Sequence, residues 1–152
     1  MAITTPTGTT TPTSEQGARI VGAQYDQDNE PGPGPEIMAA DTLEGDSVVN
    51  RQGEDLGKIK EIMIDVPRGQ VAYAVLSTGG FLGIGDKYHA VPWRALTLDA
   101  DRKCFILDVD KERLQNAPGF DKDNWPTMAD ATWATEIHRY YGQRTYWTPP
   151  EL

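Results

Sequence analysis

Between residues 47 and 109, short apolar runs alternate with polar residues and are cut at nearly regular intervals by Gly, Asp and Pro. A chain with a period of two, broken by turn formers, folds into short strands that show one face to a core and then reverse. Residues 47–50 read as a first strand. Arg51-Gln52-Gly53-Glu54-Asp55-Leu56-Gly57 then supplies a hairpin turn with two glycines able to take positive φ. Residues 58–66 set Ile62, Ile64 and Val66 on one face and Glu61 and Asp65 on the other, while Ile59 and Met63 half-cover the second face. Pro67-Arg68-Gly69 turns the chain into residues 70–78, which are apolar on both faces and so belong in the middle of a sheet. Residues 87–91, 95–98 and 103–107 complete the set, the last two joined through Asp99-Ala100-Asp101-Arg102. Six short antiparallel strands are expected to close into a small barrel, because closure removes exposed edges.

The pattern changes on both sides of this region. Residues 1–36 are rich in Thr, Pro, Gly, Gln and acids, with only Ile20, Val21 and Tyr25 as apolar anchors, and are expected to be a disordered tail. Pro31-Gly32-Pro33-Gly34-Pro35 denies backbone donors and reads as a linker. From Asp110 the period becomes helical. A brief helix over 111–116 stops at Pro118-Gly119, and a second runs over 131–141 with Asp130 as N-cap and Gly142 as its stop. The expected division is a tail at 1–36, a barrel at 37–116 and an aromatic-rich helical extension at 117–152.

Charge and composition narrow the partners. A formal net charge of -9 opposes nucleic acid and anionic lipid, and the chain has no apolar run of the roughly 18 residues that membrane insertion needs. The Thr- and Pro-rich start lacks the basic end and apolar centre of a secretory signal, so a cytoplasmic location is expected. The single cysteine, Cys104, lies in the apolar run Cys104-Phe105-Ile106-Leu107 and reads as a buried small hydrophobe.

No catalytic, cofactor-binding or metal-binding residue stands out. Asp121, Asp123 and Asp130 fail as a calcium loop, because the sixth position is Pro126 and the twelfth Thr132. Asp99 with Asp101, and Asp108 with Asp110, read as turn formers. His89 and His138 have no second ligand at metal spacing, and Ser14, Ser47 and Ser77 lack a nucleophile-elbow context. The Gly79–Gly85 loop leads into a strand rather than a helix, which argues against phosphate binding. Its side chains Phe81, Leu82 and Ile84 either fold over the barrel mouth or meet a protein partner. In the C-terminal extension, Trp125, Trp133, Tyr140, Tyr141, Tyr146 and Trp147 crowd a polar segment, and Trp133, Ile137, Tyr140 and Tyr141 share a helical stripe. Such rings must be covered, by the chain's own barrel or by a second subunit. Phe81, Leu82, Ile84, Trp133, Tyr140, Tyr141 and Trp147 are therefore the candidate partner-binding residues, for a protein partner or a homo-oligomer.

The order Gly53, Gly57, a strand closing at Asp65-Val66, Tyr73-Ala74-Val75, Gly79-Gly80-Phe81-Leu82-Gly83-Ile84-Gly85-Asp86-Lys87 and Val91-Pro92-Trp93 resembles a PRC-barrel domain over about residues 39–110. Residues 120–147 resemble the tails of free-standing bacterial members. The resemblance implies a six-stranded barrel serving as a docking or regulatory module rather than an enzyme. In the reaction-centre H subunit that names the family, the barrel caps a membrane complex and influences proton and electron transfer to a quinone. An accessory role beside a membrane-associated electron-transfer complex is thus implied. The alternative is a small-molecule-binding or enzymatic barrel using His89, Tyr73 or Tyr88, which a narrow barrel filled by its own side chains would disfavour.

Overall fold

The structure is a computed structural model that describes residues 17–22, 36–78 and 87–148. Among the described residues the strands are β1 (Arg19–Val21), β2 (Ser47–Val49), β3 (Asp55–Asp65), β4 (Gln70–Ser77), β5 (Lys87–Pro92), β6 (Leu96–Asp99), β7 (Cys104–Leu107) and β8 (Phe120–Asp121). The α-helices described are α1 (Ala40–Leu43), α2 (Lys111–Gln115) and α3 (Ala131–Tyr140), and a 3-10 turn, Trp93–Ala95, joins β5 to β6.

Turn chemistry explains the local reversals. Asn50 is 2% exposed and knots the first hairpin, its side-chain oxygen accepting from the backbone of Gln52 and Glu54 while its amide donates to Glu54. Gly53 takes φ +83°, as the turn requires. Gly57 is needed for a second reason: at φ +135° a Cβ would press into the backbone carbonyl of Ser77 on β4. Asp99 closes the β6–β7 turn by accepting from the backbone of Asp101 and Arg102, and Asp110 caps α2 through Arg113 N at 2.6 Å. Asp130 caps α3 through Thr132 N. The helix ends in a paired hydrogen-bond stop, Gly142 N to Arg139 O and Gln143 N to His138 O, with Gly142 at φ +69°.

The sheet order is β1-β6-β7-β2-β3-β4-β5-β8. β4 lies between two antiparallel neighbours, and Ala72 to Leu76 are each 5% exposed or less, as its two apolar faces demand. The expected set of six antiparallel strands needs correction: eight strands form a mixed sheet, with β1 parallel to β6 and β2 parallel to β7. Among the described residues no ladder joins β1 to β8, so the sheet does not close. Parallel pairing links segments distant in sequence and leaves no turn signature, which is why local patterns missed it.

Both additional strands are short edges. β1 falls inside the segment read as a disordered tail. It is held by register with Thr97, Leu98 and Asp99, by Ala100 N donating to Val21 O, and by Ile20 packing on the core. One apolar side chain plus an edge ladder suffices there. The Pro31–Pro35 linker lies outside the described residues. β8 pairs two residues with Lys87 and Tyr88, too short a run for alternation to reveal.

One apolar cluster, including Val48, Leu56, Ile59, Leu76, Leu96, Phe105 and Leu107, draws on strands from both halves of the order. Ile20 and Leu98, distant in that order from Ile62 and Val71, line the same cavity of about 330 Å³, so the sheet is strongly curled. Among the described residues no helix is long and apolar enough to cross a membrane.

Candidate functional site

The β3–β4 turn and the segment after α3 meet to form a cleft of about 480 Å³. Its walls include Met63, Ile64, Val66, Pro67, Met128 and Trp147. Ile64 is 56% exposed and Val66 82%, although strict alternation would put both beside the inward Ile62. The ladder shifts register between Met63 and Ile64, where Ala72 on β4 is left without a ladder partner, and Val66 lies beyond the end of β3, in the turn.

A polar cluster ties the two sides of the cleft together. Asp65 accepts from Tyr146 Oη at 2.5 Å, from Arg68 Nη1 at 2.9 Å and from Arg68 N at 3.1 Å. The Tyr146 hydroxyl and then the Arg68 backbone hold the Asp65 carboxyl below its usual range. Burial, reinforced by the bond to Asp65, pushes the Tyr146 phenol up to about 12. Arg68 lies 5.9 Å from the centre of the Tyr146 ring and 5.8 Å from that of Trp147, within reach of both faces. Gln70 Nε2 donates to Tyr146 O. Residues 143–148 thus form a strap held by side chains, with no strand of their own.

The expected partner-binding residues separate into groups. Phe81, Leu82 and Ile84 lie outside the described residues. Trp133 is half-buried, edge-on to Tyr73 at 5.4 Å. Tyr140 is half-buried and clipped to α2, donating its hydroxyl to Arg113 O and accepting Arg113 Nη2 at its own carbonyl, each at 2.5 Å. Tyr141 is 8% exposed and belongs to the core. Of those members of the set that are described, Trp147 alone lines the cleft. The aromatic rings therefore find much of their cover within the chain. The sequence reading did not single out Asp65, Arg68, Ile64 or Val66 as site residues; their grouping with the strap depends on contacts such as that of Asp65 with Tyr146, 81 positions apart.

The residues considered for a ligand-binding barrel do not converge. Tyr73 lines the cleft through a side chain whose hydroxyl is buried and has no hydrogen-bond partner. Tyr88 packs edge-on against Phe120 and Trp125, and neither cavity described takes in Tyr88 or His89. His89 is fully buried on β5, with Nδ1–H donating to Pro118 O at 3.4 Å. His138 is 1% exposed, with Nδ1–H donating to Ala134 O at 2.7 Å. Carbonyls only accept, so each Nδ1 carries the proton and each Nε2 is left buried without a partner. Burial pushes both imidazoles below their ordinary pKa.

A family model described as the PRC-barrel domain matches residues 35–114, more than half of the chain. No curated protein matches the chain. The matched span contains the β3–β4 side of the cleft, whereas α3 and the strap follow it.

Proposed function

This chain belongs to the PRC-barrel domain family, and on that premise we propose that it is a non-catalytic, cytoplasmic module for protein interaction or assembly. Its partner is a protein or a second copy of the chain, not nucleic acid, and it does not insert in a membrane. The observation that carries this reading is the cleft where the curled sheet meets the strap, with Ile64 and Val66 left exposed on the sheet side. Apolar groups beside a large aromatic and an arginine have the composition of an interface anchor. Phe81, Leu82 and Ile84 supply a second contact in this reading, and kinship alone suggests a membrane-associated electron-transfer complex as the partner's setting.

Affinity capture tests it, comparing the wild type with Ile64→Ser/Val66→Ser and with Phe81→Ser/Leu82→Ser. Loss of the same partner from either variant supports the module; retention of every partner by both rejects these surfaces. Light scattering on the eluting full chain tests self-association, and a monomer at tens of micromolar rejects the homo-oligomer.

One observation favours a second reading, in which a small apolar molecule binds. The cavity lined by Ile20, Met38, Leu43, Ile62, Trp93 and Phe105 falls at the lower end of ligand-pocket sizes. A thermal-shift screen that finds a stabilising metabolite would favour this reading over the adaptor.

A further inference from the structure

His138 stands where the strap meets the sheet. From α3 its ring reaches Tyr73 on β4 at 5.4 Å, and Tyr146 and Trp147 of the strap at 5.7 and 5.9 Å. Its Nδ1–H is spent on its own helix, so the unpartnered Nε2 is on the part of the ring not tied to that carbonyl. We propose that the strap, residues 143–148, is held down over a neutral His138 and lifts from the sheet when that imidazole takes up a proton.

Among the described residues, the groups that face His138 offer an imidazolium no compensating charge. Tyr73 faces it from β4, and burial keeps that phenol neutral. Tyr146 faces it from the strap, also neutral at ordinary pH. Arg94 of the 3-10 turn adds a positive charge that opposes a second one. Asp65 is the acid behind Tyr146, and its carboxylate is already engaged by Tyr146 and Arg68. Among the described residues no carboxylate lies within ion-pair distance of His138. A charge buried without a partner is costly, and the chain relieves that cost by whichever opening is cheapest.

The cheapest opening is the strap. Reaching Nε2 from the Tyr73 side means parting β4 from ladders on both of its edges. Lifting the strap parts no ladder: it breaks side-chain contacts, among them the hydrogen bond from Gln70, that from Tyr146 to Asp65, the stacking of Arg68 and the engagement of Arg144. Segments without ladder bonds occupy the low-stability end of local unfolding. The Asp65 carboxyl, held below its usual range, stays ionised while an imidazole titrates, so weakening between neutral and mildly acidic pH belongs to the histidine. Lifting also uncovers the cleft, because Tyr146 and Trp147 form part of its wall. The proposal concerns the attachment of the strap and stands whether or not a partner docks there.

Hydrogen exchange followed by mass spectrometry on the full chain tests it, at neutral pH and about one unit below the free imidazole value, corrected for intrinsic exchange. The expected result is about a tenfold loss of protection in peptides spanning 143–148, one pH unit of linkage for one proton, with β4 peptides unchanged. His138→Phe keeps an aromatic ring and should abolish the loss, while His89→Gln should retain it. If His138→Phe fails to fold, the wild-type His138 ring signal is titrated by NMR, and its midpoint must coincide with that of strap release. Protection that is unchanged or higher at acidic pH, as cation–π contacts from the imidazolium would produce, overturns the proposal. So does a loss that persists in His138→Phe, or midpoints that differ.

Discussion

β4 and the strap both bury aromatic and aliphatic side chains, yet they are secured in different ways. β4 is bonded along both edges, and five consecutive residues are almost wholly buried. The strap has no ladder, and its fastenings are side-chain contacts that include a hydrogen bond from Gln70, one to Asp65 and the stacking of Arg68. Burying apolar area is thus compatible with either a permanent element or a releasable one. Whether the backbone is bonded to a neighbour decides which.

The strongest challenge to this contrast is Leu76→Ala, at a position with 0% exposure near the end of β4, laddered on both sides. Truncation there should cost ~2–5 kcal/mol, read as a fall in the urea midpoint with the slope unchanged. A loss below 1 kcal/mol would mean that the sheet centre is less closely packed than described. Gly57→Ala comes next, because the new Cβ meets the Ser77 carbonyl in a backbone conformation side chains rarely adopt. About 1–3 kcal/mol should be lost on the same scale, and an unchanged midpoint would show that β3 and β4 can separate there without penalty.

Acid sharpens the comparison, since one buried histidine neighbours each region: His89 on β5 pairs with Leu76 of β4, and His138 on α3 touches Tyr146 and Trp147 of the strap. The folded His89 resists protonation while the unfolded chain accepts a proton near its ordinary value of about 6.5. The unfolded state therefore binds more protons below that value, and stability present at higher pH is lost as the pH falls toward the depressed folded pKa. The global loss should be at most about 1.4 kcal/mol per pH unit for each such group. Denaturation curves from pH 8 to 5 should show His89→Gln removing one share of that slope; an unchanged slope would place the acid sensitivity elsewhere. The smallest global effect is expected from Tyr146→Phe, which removes the hydroxyl bond to Asp65. Exchange protection in the strap should drop several-fold with no resolvable shift in the global midpoint. A shift as large as that of Leu76→Ala would make the strap part of the core and end the distinction.

Much of the fold was legible locally. Alternation located the six strands read from residues 47 to 107, and Asp110, Asp130 and Gly142 marked helix ends that side-chain and backbone bonds realise. Residues 70–78 announced a central strand because both faces were apolar. The site was far less visible. Ile64 and Val66 followed the buried alternation in sequence, but both are exposed, at the end of β3 and in the turn after it. Pro67-Arg68-Gly69 read as a turn and nothing more, with no sign that Arg68 would lie across two rings of the C-terminal segment.

By itself the sequence determined the positions of the six strands between residues 47 and 107, the turns, the caps and the kinship, because these follow from periodicity and from residues acting on their near neighbours. Tertiary structure alone decided that β2 and β7 run parallel, that β1 joins the sheet, and that Tyr146 meets Asp65. Those outcomes depend on which distant surfaces come into register once the chain has curled, and no local pattern encodes that geometry.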